Sequence, residues 1–237
     1  MATNLVDSLL LAIEPWRCVL CRDTAYGMDI CADCIDDLPW LTRSCRRCAL
    51  PLPSTGIPLC GNCIHVPADI DHCIAALAYD YPVDRLVTGL KYQRKLLFAR
   101  VLGELLAIRI KEALVYGELE IPELIMPVPM HRWRLARRTY NQAEEIARWL
   151  QRDLRVPVES SQLLRVRNTP RQTSLSRAVR LRNIHGAFHV RGNVADKRIA
   201  LVDDVITTAA TVRELAQILK RAGAAEVQVW AVARTDS

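Results

Sequence analysis

Arg198 to Thr211 read R-I-A-L-V-D-D-V-I-T-T-A-A-T, and the fold turns on this stretch. Ile199 to Val202 are four apolar residues in a row, which predicts a short strand buried in a sheet. Asp203 and Asp204 stand at its carboxyl end, and the small and hydroxylated run Thr207, Thr208, Ala209, Ala210, Thr211 opens a helix. Open α/β sheets bind ligands at that place. The first N–H groups of a helix lack internal partners, so its N-terminus attracts anions. The hydroxyls of Thr207, Thr208 and Thr211 add donors to those backbone groups. Two carboxylates beside them suit vicinal hydroxyls or Mg²⁺, which prefers carboxylate and phosphate oxygen. The expectation is a sugar-phosphate site. An ordinary strand–turn–helix with solvated aspartates is the bland alternative, but turn preferences alone do not require these residue types in this order.

The same stretch resembles the 5-phosphoribosyl-1-pyrophosphate (PRPP) motif of type I phosphoribosyltransferases: apolar strand, acid pair, apolar pair, then T-T-G-x-T. It departs at Ala209, where that family usually has glycine. If the position needs a positive φ, alanine costs on the order of 1–2 kcal/mol there.

Strands and helices alternate outward from this motif. Cys73 to Tyr79, Glu123 to Val128, Val156 to Leu164, Ala187 to Val190 and Val227 to Ala233 read as further strands. Val83 to Tyr92, Leu96 to Val115, Thr139 to Leu150 and Thr208 to Arg221 read as helices. Pro82 suits a helix start, Thr139 with Gln142 suits a capping box, and Gly223 suits a helix end. The expected fold class is α/β with a mostly parallel sheet. A small cysteine-rich module over 1–70 precedes a domain over 71–237.

That first module carries eight of the nine cysteines, as four C-x-x-C pairs: Cys18/Cys21, Cys31/Cys34, Cys45/Cys48 and Cys60/Cys63. Each knuckle offers two thiolates on one side of a turn, and two knuckles complete a tetrahedral zinc site. Up to two structural zinc ions are expected, pairing knuckles one with two and three with four. A crossed pairing, or one occupied site, fits the spacing nearly as well. Disulfides are disfavoured without a secretory signal. Cys73 stands apart beside an apolar run and reads as core.

No apolar run approaches the roughly 20 residues of a membrane span, and the first fifteen residues hold Asp7 and Glu14 with no basic segment. No membrane insertion and a cytoplasmic location are therefore expected. Residues 1–75 hold 5 Lys+Arg against 9 Asp+Glu. From totals of 32 and 26, the rest of the chain holds 27 against 17. The excess points to a polyanionic partner, a pyrophosphate-bearing nucleotide or single-stranded nucleic acid.

Two basic motifs carry that charge. P-V-P-M-H-R-W-R-L-A-R-R-T-Y-N-Q, from Pro127 to Gln142, crowds Arg132, Arg134, Arg137 and Arg138 between a strand and the start of a helix. The helix dipole favours negative charge at that end, so a bound anion would account for them. Arg167 to Phe188 adds Arg171, Gln172, Arg177, Arg180 and Arg182 on a segment with little to pack, suited to closing over a substrate.

Taken with the knuckles, L-K-Y around Lys91, P-V-P-x-x-x-x-R, Asn141-Gln142, Gln172 to Leu175, Arg180 with Asn183, and Ala187-Phe188, the chain resembles the ComF/GntX family. These are competence-associated proteins with an N-terminal zinc module and a phosphoribosyltransferase-like domain. Thr139-Tyr140 stand where that family typically shows Gly-Phe. The resemblance implies catalytic roles for Asp203 and Asp204, with PRPP and Mg²⁺ held there. It implies PRPP contacts from Thr207, Thr208, Ala209, Ala210, Thr211, Arg137 and Arg138, and a flexible hood containing Arg171, Gln172 and Arg180. Two functions compete. One is glycosyl transfer from PRPP, linked to DNA uptake or nucleotide metabolism. The other is non-catalytic handling of single-stranded DNA alongside other competence proteins, with Trp133, Tyr140 and Trp149 as stacking candidates. Trp149 lies on the apolar side of its helix and also reads as core.

Overall fold

A computed structural model describes residues 16–53, 56–167 and 186–236. The chain divides into two compact units between Pro39 and Trp40. The smaller holds strands β1 (Trp16–Arg17) and β2 (Thr24–Ala25), paired antiparallel, and helix α1 (Ala32–Asp36).

The larger unit is built on a four-stranded sheet in the order β3 (His72–Ala78), β8 (Glu226–Arg234), β7 (Arg198–Ile206), β4 (Leu124–Pro127). Every neighbouring pair is parallel. This matches the fold class expected from the alternation of elements. Runs such as Cys73–Leu77 and Val227–Ala233 are buried throughout, as strands covered on both faces must be. After the short helix α2 (Gly61–Ile64), helices α3 (Val83–Gln93) and α4 (Leu97–Val115) precede β4, while α5 (Arg132–Arg138) and α6 (Gln142–Leu154) follow it. α6 packs on α4, where Gly103 makes room: a Cβ there would lie 2.7 Å from the Cβ of Trp149. That contact supports Trp149 as a packing residue, flanked by the guanidinium groups of Arg100 and Arg152. Helix α7 (Ala210–Arg221) joins β7 to β8.

Several boundaries differ from expectation. The strand expected over Val156 to Leu164 is not one strand. Val158 makes a single parallel bridge to Ile125, and the chain then turns into β5 (Leu163–Arg165). β5 pairs antiparallel with β6 (Phe188–Val190), outside the main sheet. β7 extends past Val202 because β8 continues beside it, pairing Asp203 with Ala231 and Ile206 with Arg234. Among the described residues no helix is long and apolar enough to cross a membrane.

The module expected over 1–70 and the compact units are different divisions of the chain. The second four-cysteine group falls in the larger unit, where Cys45, Cys48, Cys60 and Cys63 share one buried cluster with Leu124, Ile199, Val229 and Leu215.

Candidate functional site: the carboxyl end of the sheet

The loop from β7 to α7 is only three residues long, Thr207 to Ala209. Ala209 adopts φ +57°, in the left-handed region. The conformation for which glycine is suited is therefore required here, and alanine carries it at a cost of about 1 kcal/mol. No side chain caps α7 and its first turn holds no acid. Its leading N–H groups have no acceptor within the helix itself. Thr207 is exposed, and Thr208 and Thr211 are half-buried.

Asp203 and Asp204 lie inside β7, close to its carboxyl end. Asp203 Oδ1 accepts the Asp204 N–H at 2.9 Å, and Asp204 Oδ1 accepts the Val205 N–H at 2.7 Å. Lys91 Nζ, from the last turn of α3, lies 3.0 Å from Asp204 Oδ1 in a nearly buried ion pair. Burial, and then the neighbouring Asp204 carboxylate, push Asp203 up to about 7 against the opposing pull of Lys91. One carboxylate of the pair is thus compensated and the other is not, which suits a cation or hydroxyl donors.

The basic corner after β4 is a short helix rather than a loop. Arg137 and Arg138 occupy the last turn of α5, where the dipole favours cations, so part of their placement needs no bound anion. Thr139 follows with φ +72°, again at a position where the resembled family has glycine. The capping box expected from Thr139 is not formed. Asn141 caps α6 instead, its Oδ1 accepting the Ala143 N–H at 3.2 Å while its Nδ2 donates to the Val128 carbonyl at 3.0 Å. Arg138 Nη1 donates to Gln142 Oε1 at 3.0 Å, and buried Gln142 Nε2 has no partner among the described residues.

Three consecutive residues of α3 tie this corner to the acid pair. The Leu90 carbonyl accepts the Tyr140 hydroxyl, Lys91 pairs with Asp204, and the Tyr92 ring lies 5.2 Å under the Arg138 guanidinium. L-K-Y was visible as a motif, but nothing local assigned Lys91 a partner so far along the chain. His131, buried at the start of α5, had no assigned role either. Its Nδ1 accepts the Trp133 N–H at 3.3 Å, and burial with Arg165, Arg132 and Arg134 holds its pKa below the usual value. Trp133 is exposed, whereas Tyr140 is part-buried against α3. Arg171, Gln172 and Arg180 lie outside the described residues.

The cysteines form two groups, Cys18/Cys21/Cys31/Cys34 and Cys45/Cys48/Cys60/Cys63, each with its sulfurs within 4.8 Å of one another. The pairing is sequential. Cys21 Sγ lies 3.6 Å from Cys31 Sγ, and Cys48 Sγ lies 3.6 Å from Cys60 Sγ. Thiolates about 2.3 Å from a tetrahedral zinc would be about 3.8 Å apart, so both groups fit the ion. In the second group, the hydrogen bond from Cys48 pulls the Cys45 thiol down to about 4. The same hydrogen bond pushes the Cys48 thiol up, and burial pushes the Cys63 thiol up.

Residues 9–64 match the double zinc ribbon domain family, and residues 136–237 match the phosphoribosyl transferase domain family. The chain is 35% identical over 223 residues to the DNA utilization protein YhgH of Escherichia coli O157:H7, covering 93% of this chain and 98% of that one. It is 33% identical over 227 residues to competence protein F of Haemophilus influenzae, covering 92% and 97% respectively. Among solved structures it is similar to a glutamine PRPP amidotransferase from B. subtilis. That likeness is at 27% identity and a TM-score of 0.36, over 55% of this chain and 25% of that one.

Proposed function

The chain belongs to the ComF/GntX family, and on that premise we propose that the carboxyl end of its sheet binds PRPP with Mg²⁺ for phosphoribosyl transfer. The observation that carries the proposal is the arrangement around α3: one turn of helix holds the acid pair through Lys91 and the arginine corner through Leu90 and Tyr92.

The 5-phosphate would rest on the uncapped N-terminus of α7 and the hydroxyls of Thr207, Thr208 and Thr211. Asp203 and Asp204 would meet the ribose hydroxyls and hold Mg²⁺, whose charge helps neutralise the pyrophosphate. Arg137, Arg138 and the buried Gln142 Nε2 would face the pyrophosphate oxygens. In the reaction the C1–O bond to pyrophosphate breaks as the bond from C1 to an acceptor forms. The chain's contribution is to hold the leaving group's charge and to orient the ribose. The DNA utilization and competence proteins among its relatives support a link of this activity to DNA uptake or nucleotide metabolism.

Single-stranded DNA handling is the second reading. It is favoured by exposed Trp133, with Arg132 6.0 Å from its ring, and by exposed Tyr81 under Arg85 at 4.9 Å. Such cation-backed rings stack on bases. Calorimetric titration with Mg–PRPP and with an oligonucleotide separates the readings. Asp204→Asn should weaken PRPP and spare DNA, and Trp133→Ala should do the reverse. Heat from the oligonucleotide alone, steeply reduced by salt, would overturn the transferase reading.

A further inference from the structure

We propose that the second cysteine group, with zinc bound, is the footing of the Thr207–Ala209 loop. In this proposal Arg213 and Arg234 are positioning residues that carry the metal's occupancy to the loop. The proposal rests on the reading of that loop as a phosphate cradle and adds a means of regulating it.

Both ends of the loop are tied to the cysteine group. At the helix end, Arg213 lies in the first turn of α7, where its N–H donates to the Ala209 carbonyl at 3.0 Å. Its Nη2 donates to Cys63 Sγ at 2.9 Å. At the strand end, buried Arg234 donates from Nε to the Cys48 carbonyl at 2.9 Å and from Nη1 to the Ile206 carbonyl at 3.4 Å. Thr235 N–H also donates to the Ile206 carbonyl, at 3.1 Å. Ile206 and Ala209 bracket the loop, so each end reaches one knuckle through one arginine.

Charge explains why the metal matters. Four thiolates around one divalent ion would leave a surplus of negative charge, which the half-buried Arg213 and the buried Arg234 help to offset. Bound zinc would fix Cys63 Sγ where it accepts the hydrogen bond from Arg213 Nη2. When zinc leaves, the two knuckles lose the ion that fixes Cys63 Sγ and the Cys48 carbonyl, so both arginines lose a partner held in one place. Arg213 is then released, and the first turn of α7 loses a tether at the residues that shape the cradle. Sulfur ligands are held in this way by outer partners in many metal sites. Here the outer partner also belongs to the ligand-binding helix.

The test uses the full-length, zinc-loaded protein as wild type, Arg213→Gln and Arg213→Lys. Three quantities are read: zinc retention against a competing chromogenic chelator, Mg–PRPP affinity by calorimetry, and amide exchange over 206–213. Arg213→Gln should release one of its two zinc ions about 10- to 100-fold more readily. It should also weaken PRPP several-fold and speed exchange over 206–213, with Arg213→Lys falling between. In wild type, PRPP should slow loss of that same zinc, since coupling is reciprocal. Cys21→Ser, which disables the first group, should leave exchange over 206–213 unchanged. Easier zinc loss with unchanged PRPP affinity and unchanged exchange overturns the proposal. If wild type binds no PRPP, the phosphate reading fails. Exchange in wild type on chelation then decides the footing alone: faster over 206–213 upholds it, and unchanged refutes it. The same arm decides if Arg213→Gln does not fold.

Discussion

Cys18, Cys21, Cys31 and Cys34 lie in the smaller unit with Cys21 exposed, whereas Cys45, Cys48, Cys60 and Cys63 are all buried in the core that carries the sheet. The knuckles are alike in spacing and unlike in what they hold up. The first group lies in a segment whose strands are two residues long, where a bound metal would supply much of the order. The second is packed beside Leu124, Ile199 and Val229 and receives a guanidinium on one of its sulfurs. A shared sequence motif can therefore serve as a local staple in one place and as part of a domain core in another.

The sharpest way to break this comparison is to remove one ligand from each group. Cys63→Ser should destabilise the larger unit by on the order of 5 kcal/mol, because it removes a structural zinc site and leaves buried polar groups without partners. Cys21→Ser should leave the melting of that unit nearly unchanged. Thermal unfolding followed by circular dichroism, with zinc counted in each variant, checks both. Equal losses would mean that the two groups are not different in kind.

Lys91→Met tests the larger unit at the opposite end of the same loop. It strands the Asp204 carboxylate in a nearly buried place and should cost about 3 kcal/mol, with both zinc ions retained. Urea unfolding that gives the wild-type midpoint would show that the ion pair contributes nothing.

The acid pair also sets a pH dependence. Asp203 is raised from 3.8 to about 7 in the folded chain, so between those values the folded state holds a proton that the unfolded state has lost. Stability from this group is complete below pH 3.8 and falls as pH rises through about 7. Asp203→Asn should flatten the decline in melting temperature over that interval. It should also remove any gain in Mg²⁺ affinity on going from pH 6 to pH 8. An identical slope in wild type and variant would contradict the assignment.

The smallest effect expected is at Ala209. Glycine there should stabilise the chain by about 1 kcal/mol, since φ +57° is unfavourable for alanine. A destabilised Ala209→Gly would show that entropy in the unfolded chain outweighs the backbone strain.

Much of the sheet was legible because its strands are apolar runs: Ile199–Val202 and Val227–Ala233 could hardly lie anywhere but inside. The acids and the threonine loop were legible for the related reason that their order is unusual. Other features depended on distant partners. Val156 to Leu164 is apolar enough for a strand, but only Val158 finds a neighbour in the sheet, at Ile125. Thr139 and Asn141 are both good caps, and the left-handed turn at Thr139 decided for Asn141. Lys91, Arg213 and Arg234 look like surface charges until the fold sets each beside a carboxylate, a sulfur or a buried carbonyl.

Amide-exchange footprinting of the full chain with and without Mg–PRPP tests the central claim most directly. The account predicts protection concentrated at 203–213, with a second patch at 131–142 where the arginine corner meets α3. No protection at 203–213 under saturating Mg–PRPP, or protection confined to other parts of the chain, would contradict it.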